Sequence, residues 1–282
     1  MKKMIVLLLF IAYAPALFAQ NASEKIFYNT LIKARKEGWV RLPTQGLMAR
    51  IAYSWLGTPY VAHTLEGDGP EEIRVVLDGL DCFTLVEQSL DMSRVIKKHG
   101  FTFDKLESEV QQTRYRNGEI DGYLSRLHYT SEWLYHNINQ GVLEDVTPAL
   151  GGIEFNPDVR FMSAHPQYYQ KLKADSTLIP PLRKIEDSIN KRTFYYIPKD
   201  KIPEIEKYLQ TGDIVMFTTS VAGLDYGHLG LVWRDGNDVP RLLHASSSEK
   251  QVHLDKGISE YIDDIKIFTG ITVARPLDQS IK

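Results

Sequence analysis

Helix-type and strand-type patterns are segregated along this chain, and that order restricts the fold more than any single motif does. Early on, apolar residues recur at three- and four-residue spacing. Ile26, Phe27, Leu31 and Ile32 precede Gly38, and Ile51, Ala52 and Trp55 precede Gly57. Further helices are predicted over 103–114 and 131–140. After residue 213 the texture becomes short β-rich runs, at 213–219, 228–233, 241–245, 251–254, 258–262 and 267–274, separated by Gly, Asp and Asn. Between the two regions, short helices are predicted at 166–174 and 180–191, a helical turn at 201–209, a strand at 194–198, and turns and loop over 146–159. Helices first and antiparallel strands last is an α+β order, because βαβ units would interleave them. No repeat, low-complexity tract or composition break divides residues 21–282, which are expected to form one domain.

Cys82 is the only cysteine among 282 residues. It follows Gly79-Leu80-Asp81, and Asp81 is a good helix N-cap residue. Beyond it Leu85, Val86, Ser89, Leu90, Ser93 and Ile96 share one face of an amphipathic helix, and Gly100 sits where a terminating glycine belongs. Cys82 is thereby predicted at the first helical position. Unpaired N–H groups and the positive dipole end there favour a thiolate and can donate to a developing oxyanion.

Residues 1–20 read as a secretory leader: Lys2 and Lys3, an apolar run from Ile5 to Phe10, then small residues around Ala14, Ala16 and Ala19. Cleavage near Ala19 or Gln20 leaves roughly 260 residues in the periplasm or outside the cell, with no cysteine placed for a lipid anchor. A thiol kept alone in an oxidising compartment points to chemistry, since one cysteine forms no internal disulfide. The hydrophobic fraction of 43% suits a globular core, and a net charge of −3 suggests neither nucleic acid nor an anionic membrane as partner.

A cysteine nucleophile needs a base, and the base an orienting group. Among eight histidines, His228 lies in Gly227-His228-Leu229-Gly230 at the start of a predicted strand, where the glycines permit close approach. His244 ends the next, in Leu243-His244-Ala245-Ser246. Adjacent antiparallel strands can set the two rings side by side. His63, His99 and His136 read as solvated or structural. No His-Glu-x-x-His or paired-cysteine spacing occurs, and His244 with His253 lacks a third metal ligand, so no cofactor is expected.

Gly57-Thr58-Pro59-Tyr60, Leu80-Asp81-Cys82, Gly212-Asp213-Ile214-Val215, Gly227-His228-Leu229-Gly230 and Leu243-His244-Ala245-Ser246, in that order, resemble the NlpC-type cell-wall hydrolases. The resemblance implies a papain-like core, a Cys-bearing helix packed on an antiparallel sheet. It also implies Cys82 as nucleophile, His228 as base then acid, and His244 as its orienter. Cys82 is followed by Phe83-Thr84, where the family's peptidase branch has Ser-Gly. The long separation of Cys82 and His228 implies a mostly helical insertion at about 101–210. Within it, residues 123–129 resemble a signature of the N-acetylmuramoyl-L-alanine amidase-like branch. The implied reaction cleaves the N-acetylmuramoyl-L-alanine amide of peptidoglycan. The alternatives are a γ-D-glutamyl-diamino acid endopeptidase and a non-catalytic peptidoglycan-binding protein. Substrate contacts are expected from Tyr60, Asp81, Ser125, Arg126, His128 and Tyr129, with Arg126 as a carboxylate fork and Tyr123, Tyr129 and Trp133 as flat faces. The expected partner is peptidoglycan or a muropeptide, met by a monomer without a membrane anchor.

Overall fold

Eight strands form one antiparallel sheet in the computed structural model, which describes residues 22–278; the expected leader lies outside them. The strands are β1 (Leu143–Asp145), β2 (Ile153–Phe155), β3 (Phe194–Pro198), β4 (Ile214–Thr219), β5 (Tyr226–Arg234), β6 (Pro240–Ser246), β7 (Gln251–Gly257) and β8 (Phe268–Pro276). Their spatial order is β2-β3-β8-β4-β5-β6-β7, with β1 paired to β8 off that path. The helices before the sheet's centre are α1 (22–36), α2 (Thr44–Ser54), α3 (Cys82–Lys97), α4 (Phe103–Arg114) and α5 (Thr130–Asn139). Five more follow: α6 (Phe161–Ala164), α7 (Gln170–Ala174), α8 (Ile179–Ile189), α9 (Ile202–Ile205) and α10 (Ile258–Asp263). Among the described residues no helix is long and apolar enough to cross a membrane.

The period-2 alternation of the central strands divides the core between two faces. Ile214, Met216, Leu229, Leu231, Leu243 and Ala245 point towards α1 to α5. Val215, Phe217, Val232, Leu242, Ile271 and Val273 point the other way, towards α9 and α10. A third cluster, with Tyr129, Met162, Leu172, Leu182 and Phe194, lies within the 101–210 stretch. That stretch also gives Phe103, Leu106, Val110 and Trp133 to the main core, and β1 to β3 to the sheet.

Helix α3 is buried on all sides from Thr84 to Ile96, beyond the single face its sequence suggests. Its polar side chains therefore require partners inside. Arg114 Nε lies 3.0 Å from Glu87 Oε2, Thr113 Oγ1 donates to Asp91 Oδ2 at 2.8 Å, and Arg94 Nε donates to Glu109 at 2.6 Å. Its end differs from expectation by one residue. His99, not Gly100, takes the left-handed conformation (φ 57°), and Gly100 N–H closes on Val95 O at 2.9 Å. Another difference is α10. Ile258 and Ile262 satisfy both a strand and a helix period, and the chain makes a helix that buries both on the sheet. Residues 153–155, expected as loop, pair with β3, whose register aligns Ile153 with Tyr196.

Candidate active site

Asp81 caps α3 through a reciprocal pair: Thr84 N–H donates to Asp81 Oδ1 at 2.8 Å, and Asp81 N–H donates to Thr84 Oγ1 at 2.9 Å. Cys82 is thus the first residue of the helix. Thr84 completes the cap from the third helical position. The β5–β6 ladder runs from Arg234↔Pro240 to Leu231↔Leu243 and stops. Just beyond, the Leu229 backbone lies near Cys82, and it favours the ionised sulfur, as do the backbone amides of Phe83 and Cys82 itself.

His228 and His244 meet on the opposite side of the same strand ends. His228 Nε2 lies 2.7 Å from His244 Nδ1, and the rings are perpendicular at 87°. Gly230 permits the contact: a Cβ there would come within 2.9 Å of Leu243 O and 3.0 Å of His244 Cβ. Two further groups complete the cluster. Asp255 Oδ2 accepts from His244 Nε2 at 3.3 Å, and the Tyr261 ring of α10 lies 5.2 Å from His244 and 6.0 Å from His228. The sequence pattern hides both, because it ends β7 at Leu254 and puts Tyr261 on a strand. Tyr60 and Tyr261 both feel the charge of Cys82, which adds to the burial that raises their hydroxyl pKa values.

The electrostatics correct one expectation. Burial, reinforced by Asp81, pushes the Cys82 thiol up to about 12, against the opposing pull of the three amides. Burial also lowers His228 to about 3, with His244 contributing, and lowers His244 to about 4. At neutral pH the resting site therefore holds a neutral thiol and neutral imidazoles, not a thiolate made by the helix end alone.

Beside Asp81 and Phe83 opens a cleft of about 320 Å³, lined among others by His63, Glu66, Tyr123, Arg126, His128 and Tyr169. The expected substrate contacts divide there. Tyr60 lies beside Cys82, while Asp81, Arg126, His128 and Tyr129 line the cleft. Arg126 is not a free fork: it donates to Glu66 at 2.8 Å and to Leu65 O at 3.1 Å, and its Nε pairs in charge with Glu71 at 3.2 Å. Tyr129 OH is likewise committed, donating to Glu186 and accepting from Met162 N–H. His128 Nε2 donates to Tyr123 O at 2.8 Å, and burial lowers its pKa to about 3. Ser125 instead closes a local turn by donating to Gly122 O at 2.7 Å. Trp133 offers no open face, being fully buried in the main core against Phe83. His63, which reads as solvated or structural in the sequence, lines the cleft with φ 63°. Among the described residues no group of three or more His, Cys, Asp or Glu is placed to hold a metal ion.

Comparison with known proteins places these features in a family. Residues 50–271 match the AmiA-like family, described as N-acetylmuramoyl-L-alanine amidase-like. The structure of an N-acetylmuramoyl-L-alanine amidase from Bacteroides uniformis is similar at 37% identity and a TM-score of 0.78, over 83% of this chain and 98% of that one. A structure from Bacteroides fragilis that carries a provisional xylanase name is 36% identical with a TM-score of 0.76, over 81% and 99%. A protein from Legionella pneumophila shares the fold at 20% identity and a TM-score of 0.68, over 93% and 96%. Among curated proteins nothing matches. With the match spanning α3, the cleft and every strand from β1 to β7, the chain belongs to the AmiA-like, N-acetylmuramoyl-L-alanine amidase-like family.

Proposed function

We propose that this protein is an exported peptidoglycan amidase that cuts the bond between the lactyl group of N-acetylmuramic acid and L-alanine, using Cys82, His228 and His244 on a papain-like, NlpC-type core. Family membership supports the reaction class. The observation that carries the mechanism is the bonded His228–His244 pair around the strand whose Leu229 backbone lies near Cys82.

His228 Nε2 is occupied by His244, so Nδ1 is the nitrogen assigned to take the thiol's proton. Because thiol and imidazole are both neutral at rest, the proton leaves Cys82 for His228 as the sulfur attacks the lactyl carbonyl carbon. As charge passes from the sulfur to the carbonyl oxygen, the unpaired amides at the start of α3 donate to the oxyanion that develops. His228 then gives the proton to the departing alanine nitrogen as the C–N bond breaks, leaving a muramoyl thioester on Cys82. A water that loses a proton to His228 attacks the thioester, and the lactyl carboxylate departs as the thiol is restored. The cleft beside Asp81 receives the stem or sugar. Mass spectrometry of a digest of a defined muropeptide tests the assignment. A free lactyl-sugar and an intact stem peptide are expected. A cut inside the stem would transfer the site to the γ-D-glutamyl bond.

A further inference from the structure

We propose that Asp255 is a positioning residue that fixes the protons of the two histidines so that His228 keeps an unprotonated Nδ1 for Cys82. The inference rests on the thiol mechanism above, and deepens it.

A carboxylate only accepts hydrogen bonds, so the nitrogen facing Asp255 Oδ2 at 3.3 Å, His244 Nε2, carries hydrogen. In a neutral imidazole the other nitrogen is then a lone pair. His244 Nδ1 is therefore the acceptor in the 2.7 Å bond, and His228 Nε2 the donor. The second nitrogen of neutral His228, Nδ1, is left bare. Each proton position follows from the one before, and the series starts at the carboxylate. In the opposite series, a hydrogen on His244 Nδ1 would be donated to His228 Nε2. His228 would then be protonated at Nδ1 and could not take the thiol's proton.

Asp255 is held for this task. Its Oδ1 accepts the Lys256 amide at 2.8 Å, its carbonyl accepts from Arg241 Nε at 2.7 Å, and Oδ2 remains for His244. It lies where β7 carries one residue more than β6, between the pairs Leu243↔Leu254 and Arg241↔Gly257, and such bulges re-aim side chains. The groups facing His244 are His228 on β5, its register partner His253 and Asp255 on β7, and Tyr261 on α10. Of these, Asp255 alone carries a carboxyl group. It raises the pKa of His244 against burial and His253, although burial prevails and the ring stays neutral.

The test reads the ring protons directly, by long-range ¹H–¹⁵N spectra of histidine-labelled protein at pH 7, with His228→Gln and His244→Gln to assign the signals. In the wild type both rings are expected to carry hydrogen on Nε2. In Asp255→Leu, His228 should show a mixture that includes the Nδ1–H form, and kcat should fall about 10- to 100-fold with KM nearly unchanged, less than the ~10²–10⁴-fold of a direct proton carrier. Asp255→Glu should restore part of the rate and the wild-type spectrum. Asp255→Ala, which removes the acceptor without adding bulk, keeps the test open if the leucine variant does not fold. Unchanged ring protons in folded Asp255→Leu or Asp255→Ala, or Nδ1–H on His228 in the wild type, would overturn the proposal. The spectra require no turnover, so a failure of Asp255 in this role is distinguishable from a failure of Cys82 as the nucleophile.

Discussion

Cys82 illustrates how one residue can be legible in its position and misread in its state. A lone cysteine after an Asp cap is visible in sequence, but the burial that opposes ionisation depends on strands β5 and β6, far along the chain. With the thiol pushed up to about 12, alkylation of free enzyme by iodoacetamide should accelerate about tenfold per pH unit from 7 to 9 without levelling; a plateau below pH 8.5 would contradict it. His228, lowered to about 3, is a base in its neutral form, so activity is lost only as pH falls through that depressed value. The limb of kcat/KM set by this ring should lie well below the ordinary histidine value of about 6.5, and pH–rate profiles compared with substrate titration will locate it. Arg126 is the reverse case. Its side chain was legible as a fork, but Glu66 and Glu71, which occupy it, lie some sixty residues earlier where no local pattern links them. His99 carries a smaller lesson, since its left-handed backbone suits glycine better. His99→Gly should gain about 0.5–1 kcal/mol in urea unfolding, with the site untouched.

Among the elements, α3 and the central strands were readable because their apolar periods are long. β1 and β2, three residues each, are too short to show one, and α10 offers two isoleucines that fit either period. What sequence could not show is that α3 is a buried axle with charged side chains inside. Arg114, almost wholly buried, joins Glu87 on α3 to Arg74 O in the segment leading to Cys82. Arg114→Met leaves Glu87 buried without its cation and should cost about 3–5 kcal/mol in chemical unfolding. Adding Glu87→Gln should recover much of that loss. Asp91 tests the same interior by pH. Burial, with Glu87 and Glu109 nearby, raises its pKa well above the usual carboxylate range. A raised acid favours the fold while protonated, and that benefit is lost as pH rises above the unfolded value. Asp91→Asn should therefore be more stable than wild type at pH 7, by on the order of 1 kcal/mol, and lose its advantage near pH 3. Thermal unfolding at the two pH values decides it.

At the scale of the whole molecule, the sheet makes the site by ending one ladder early. α3 presents Cys82 from one face at the point where β5 and β6 part, and the histidine pair occupies the other face, backed by α10. The motifs that carry these residues were legible in their order along the chain, but the cleft was less so: its walls come from the 63–66 loop, residues 123–130 and the α6–α7 region, which converge only through tertiary packing. The central claim is that the sulfur of Cys82 performs the cleavage, and replacing that one side chain is its most direct test. An alanine at the first helical position should alter folding by at most about 1 kcal/mol, because it preserves the cap and the helix. Turnover of a defined muropeptide by Cys82→Ala, with folding verified by circular dichroism, should fall to background. A folded Cys82→Ala protein that releases lactyl-sugar and stem peptide at near the wild-type rate would contradict the mechanism.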